Sequence, residues 1–160
     1  MRERGPRHDV VDAVLAAGYD DMTDAVARAD ALERALGMPE FADVTGAFKR
    51  ITNIAGKVNG AAAADDLTPE TTRGAMEPAE AALWRAFTNS RSEAEDALAA
   101  EDYARFYRLV AGLKGPVDVF FARTLVMDPD PAPRRRRLAM LRAVAVLLAR
   151  PADLGKLATG

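Results

Sequence analysis

Two groups of side chains in this 160-residue sequence are of types that bind anions or nucleobases. The first is the run "RRRRL", in which Arg134, Arg135, Arg136 and Arg137 precede Leu138, with Arg142 following shortly after. A guanidinium presents a planar fork of donors that fits a phosphate or carboxylate through two hydrogen bonds. The second group is "FKRITNI" at 48–54, where Lys49, Arg50 and Asn53 fall within about one helical turn. A cation beside an exposed amide can hold a phosphate or meet a base edge; it can equally make an interhelical hydrogen bond.

Other chemistries are poorly provided for. With no cysteine and a single histidine, His8, the sequence offers neither a thiolate site nor a histidine cluster for a transition metal. It holds no glycine-rich phosphate loop and no Ser/His/Asp set, and its carboxylates fall mostly on the outer faces of expected helices. No active site is expected, and the reading is one of binding.

The arginines do not share a face, because a helix turns 100° per residue. Arg134 lies four residues before Leu138 and Arg137 four before Leu141, which puts both on or beside the core side. There they need carbonyl or carboxylate partners, for which Asp118 and Asp128 are the candidates. Arg135 shares an outward or flanking face with Arg142, and Arg136 points roughly opposite the core, so these three are left for solvent or phosphate. Four cations at a helix start also oppose the helix dipole, by about 0.3–1 kcal/mol each near the first turn. Something must offset that placement.

The elements that position these groups are helical. Apolar residues recur at helical spacing nearly throughout, and no segment alternates with period two for long enough to predict a strand. Helices are expected over 8–17, over 22–36 with Thr23 as its N-cap, and from Pro39 to about Val58 on a stripe of Phe41, Val44, Phe48, Ile51 and Ala55. A surface loop is expected at 59–74. A further helix is predicted from about Glu77 to Ala99, with Ala82, Leu83, Ala86 and Phe87 inward and a break at "TNSRS", 88–92. Residues 101–113 follow, closed by Gly115-Pro116; the apolar 117–127 is expected to be central, and a final helix carries Leu138, Leu141, Val144, Ala145 and Leu148 and leaves "ADLGKLATG" as a tail.

At 160 residues, with 49% hydrophobic and 29% charged residues, the chain reads as globular, and its longest apolar run, 143–149, is too short to span a bilayer. A cytoplasmic, membrane-independent protein is expected. The net charge of -2 hides a division: residues 1–102 hold 11 Lys+Arg against 20 Asp+Glu, net -9, whereas 103–160 hold 11 against 4, net +7. A basic C-terminal third on an acidic body fits a local anionic partner.

The succession "FKRITNI", "VDVFF", "RRRRLAML" and "ADLGKL", in that order and at those separations, resembles the DALR-type anticodon-binding region of the β subunit of bacterial glycyl-tRNA synthetases. "RHDVVDAVLAAGYDD" and "DAVARADALE" are similar to the segment just upstream. The resemblance implies an all-α bundle of about six to seven helices, organised as an N-terminal helical segment at 1–38 packing on an anticodon-binding bundle at 39–160. It implies tRNA contact through Lys49, Arg50 and Asn53, to which Arg135, Arg136 and Arg142 are this sequence's own candidate additions, and a structural motif of Asp118, Phe120, Phe121, Arg134, Arg137 and Leu138. Departures from the family pattern are Ala122 for an aspartate, Arg136 for an asparagine, Pro133 for an apolar residue, Pro151 in the final helix and the proline-rich 129–133. The expected partners are a glycine tRNA, the α subunit and the remainder of the β subunit; the α subunit would bind ATP and glycine, and this chain no cofactor. The alternative is a scaffold bundle that keeps the fold without RNA binding.

Overall fold

The structure, a computed structural model, describes residues 5–57 and 76–158, apart from the side chains at 43, 44 and 55–57. The predicted loop at 59–74, and Val44 and Ala55 of the third helix's stripe, lie outside those residues. The described chain is all-α, with no strand among the described residues: α1 (His8–Ala16), α2 (Met22–Leu36), α3 (Pro39–Lys57), α4 (Pro78–Ala99), α5 (Tyr103–Ala111), α6 (Lys114–Arg123), α7 (Pro131–Leu148) and a closing 3-10 turn (Leu154–Lys156). Among these residues no helix is long and apolar enough to cross a membrane.

Aspartates start three of the helices. Asp21, rather than Thr23, caps α2 by accepting from the Thr23 amide at 2.9 Å; Asp102 caps α5, and Asp130 caps α7 through the Ala132 amide at 3.1 Å. Gly18 ends α1 with φ +84°, a left-handed conformation in which a side chain would be strained. α4 runs unbroken through 88–92, since Thr88 returns its hydroxyl to the Trp84 carbonyl at 2.9 Å and leaves the backbone ladder intact. Its Ala82 is exposed, against expectation, while Leu83 and Phe87 are buried. Gly115 and Pro116 open α6 instead of closing α5, because proline fits a helix's first turn, where its missing amide has no partner to lose.

The central helix is α7. Leu138, Ala139, Met140, Leu141, Ala143, Val144, Ala145, Leu147 and Leu148 are all buried, so its second half is covered on nearly every side. α3 lies along it, and α4 packs on α5 and α6. The 117–127 segment is peripheral by comparison: Val117 and Phe120 enter the core, but Val119, Leu125 and Met127 are exposed. Nor is 152–158 a loose tail. Ala152, Leu154 and Leu157 are buried, the Asp153 amide donates to the Ala13 carbonyl at 2.8 Å, and the Ala158 amide donates to Asp9 at 2.8 Å.

An aromatic group joins α3 to α5. Phe41 meets Tyr107 edge-on at 5.1 Å, and Tyr107 meets Phe106 at 5.4 Å. Beside it, the Tyr103 hydroxyl donates to Asp24, which also pairs with Arg28, tying α2 to α5.

Candidate nucleic-acid interface

Capping by Asp130, with Pro131 and Pro133 in the first turn, sets the arginines one turn deeper into α7 than the sequence suggests. The dipole's influence is confined to the first turn, so their placement costs less than expected. What offsets the remainder is Glu80, at the start of α4 and fully buried. Arg136 reaches it through Nε at 2.8 Å and Nη2 at 3.0 Å, and Arg137 through Nε at 2.8 Å. Arg137 also donates through Nη1 to the Leu125 carbonyl at 2.6 Å and to Asp128 at 3.1 Å. Arg134 is half-buried and donates to the Asp128 carbonyl at 3.3 Å. One carboxylate thus fastens α7 to α4, while the arginines fasten the α6–α7 connection to α7.

Two expectations are corrected here. Arg136 does not point into solvent: its side chain is only 12% exposed, because a long arginine stem carries the guanidinium around the helix from where its Cβ points. Asp118 is not an arginine partner but pairs with Lys114 one turn earlier, at 2.6 Å, on the exposed side of α6. Asp128 does pair with Arg137. Glu80 had no counterpart in the sequence reading, and nothing within α4 marks it: an acid in a helix's first turn is ordinary.

On α3 the structure separates Lys49 from its neighbours. Lys49 is half-buried and donates to the Leu157 carbonyl, holding the C-terminal segment, whereas Asn53 and Arg50 are exposed. Arg50 rests over the Phe121 ring, 4.2 Å from guanidinium carbon to ring centroid. Phe121 itself packs edge-on against buried Phe120 at 5.4 Å. Arg135 is exposed on α7, and Arg142 is half-buried and already partnered. Of the six residues assigned to RNA contact, Arg50, Asn53 and Arg135 are exposed. Of the residues assigned to structure, Phe120, Arg137 and Leu138 are buried.

A family model for the DALR anticodon binding domain matches residues 44–154. The chain belongs to that family. The DALR match takes in most of α3 and all of α4 to α7, so both cationic groups and Glu80 lie inside it, while α1 and α2 precede it. Over nearly its whole length the chain is also similar to glycine-tRNA ligase beta subunits: 40% identical to that of Moorella thermoacetica across 98% of this chain, and 42% identical to that of Anaeromyxobacter dehalogenans (strain 2CP-C) across 93%. The Myxococcus xanthus subunit is 34% identical across 94%. The DALR chain spans about a fifth of these relatives' length, 21–22%.

Buried and half-buried carboxylates also set the acid sensitivity of the fold. Burial pushes the Glu80 carboxyl up, but hydrogen bonds and charge from Arg136 and Arg137 outweigh it and hold the group below its ordinary 4.5. Asp9 behaves likewise, with burial opposed by the Ala158 amide and Arg7, leaving it below 3.8. A carboxylate depressed on folding contributes stability that is present above its unfolded pKa and is lost as pH falls through the folded value. The thermal midpoint is therefore expected to hold from pH 7 to about 5 and to fall below about pH 4.5, the ordinary Glu80 value. In melts of Glu80→Gln, the deficit relative to the parent should shrink over that same acid range.

Proposed function

We propose that this chain is the tRNA-binding module of a glycine-tRNA ligase beta subunit and that it contacts the anticodon arm. The observation that carries the reading is 40% identity to such a subunit across 98% of the chain, in a member of an anticodon-binding domain family. The chemistry is binding alone. Arg135 neutralises a backbone phosphate, and Arg50 and Asn53 present a guanidinium and an amide to an unstacked base. Activation of glycine with ATP belongs to a separate α subunit, and the remainder of the β subunit is the module's other partner.

Titration of the chain with a glycine tRNA, and with the same tRNA carrying a changed anticodon, at two salt concentrations tests this. Preference for the native anticodon is the expected result. Arg135→Ala should weaken binding to both tRNAs and reduce the salt slope by about one, the signature of one lost phosphate contact. Arg136, engaged with Glu80, is not a suitable companion substitution. Absence of binding to either tRNA would overturn the proposal and favour a scaffold that keeps the fold without RNA.

A further inference from the structure

Resting on that reading, we infer that Arg50 and Phe121 form a stacking platform for one unpaired nucleobase of the bound RNA, with Asn53 placed to hydrogen-bond that base's edge. At 4.2 Å from the ring centroid, the Arg50 guanidinium sits over the Phe121 ring at close to van der Waals stacking distance. Arg50 is exposed, so the guanidinium meets solvent on the side away from the ring. An arginine plane backed by an aromatic ring has the shape and charge that unstacked bases select, since a base can stack on a guanidinium as it does on an aromatic side chain.

Three features set this arginine apart. Among the described residues no carboxylate pairs with Arg50, whereas Arg136 and Arg137 are both consumed by Glu80. The ring beneath it is anchored: Phe121 is half-buried against the core and packs edge-on to Phe120, so the platform is fixed before RNA arrives and little side-chain freedom is lost on binding. Asn53 stands three residues along the same helix, a spacing that brings side chains to neighbouring positions on one face, and it is exposed. A cation meant only for phosphate needs none of this, because charge alone suffices. The ring, the plane and the amide together describe a base, and so the contact falls on a single-stranded stretch, where bases are free to leave the helical stack.

The test substitutes lysine, which keeps the charge and loses the plane. Binding of Arg50→Lys to a glycine tRNA carrying 2-aminopurine at successive anticodon-loop positions is compared with that of the parent chain, together with Phe121→Leu and the double variant. The inference expects affinity to fall on the order of tenfold in Arg50→Lys, the range that loss of one stacked base brings, with the salt slope unchanged. The double variant should be no weaker than the worse single one, and the fluorescence quench at one loop position should disappear. Helix content by circular dichroism separates these losses from misfolding. Parent-like affinity and quench in Arg50→Lys would overturn the platform while leaving tRNA binding in place. Failure of the parent chain to bind tRNA at all would overturn the platform and the function proposed above together.

Discussion

Glu80→Ala is expected to destabilise the fold by about 3–5 kcal/mol, the cost of removing one partner from a buried ion pair. For a chain of this size that lowers the thermal midpoint by on the order of 10 °C. The reasoning begins with Glu80, which is fully buried and accepts from Arg136 and Arg137, the latter buried as well. Removing the carboxylate strands Arg137 in the interior with only the Leu125 carbonyl and Asp128 to hold it. Arg136 can escape by swinging outward, so the loss falls chiefly on Arg137. A thermal melt at pH 7 measures the effect; a loss under about 1 kcal/mol would mean that the pair is as weak as a surface ion pair. The freed Arg136 makes a second readout: if it turns to solvent, Glu80→Ala gains a cation on the basic side, and non-specific RNA affinity rises even as stability falls.

Phe41→Ala should cost about as much, roughly 3–5 kcal/mol, by a different route. Phe41 is fully buried at the start of α3, edge-on to Tyr107 and 6.5 Å from Phe48. Its loss leaves a cavity that Phe48 and Tyr107 cannot close without moving their own helices. Urea unfolding is the suitable assay, with the midpoint falling and the slope unchanged. Phe41→Leu, which keeps most of the volume, should recover well over half of the loss. Since α3 also carries Arg50, a partly loosened α3 would weaken RNA binding in the alanine variant and not in the leucine variant.

Helix positions were legible because each is written locally. Gly37 stops α2 at Leu36 and Pro39 opens α3, within the reach of a few residues' conformational preferences. The inward placement of Arg137 was also readable, from its spacing to Leu141. What was not readable depends on partners distant in sequence. Glu80 lies 57 residues from Arg137, and no pattern within either helix connects them. The apolar content of 117–127 suggested a central helix, yet the helix buried nearly all round is α7, whose first half is charged; mean apolarity locates a buried segment only when the polar part lacks buried partners. Arg136 escaped helical counting because its guanidinium lies several bonds beyond the Cβ that counting locates. Lys49, Arg50 and Asn53 form one group in the sequence, yet Lys49 is held by the Leu157 carbonyl, an acceptor that no helix pattern announces.

The seam between the two ends of the chain bears on how the domain is born. Asp9 and Ala13 on α1 accept hydrogen bonds from Ala158 and Asp153, and the first of these contacts spans 149 residues. Contacts of such separation must wait for the intervening chain to condense, and closing them late is slow compared with forming any helix. On a ribosome, residues 152–158, which cover α1 and receive Lys49, emerge after every helix they pack against. Until residues 152–158 dock, α1 and the near side of α3 display apolar surface and Lys49 lacks its acceptor, so the nascent fold depends on this segment to finish its core and to hide the faces through which incomplete chains associate.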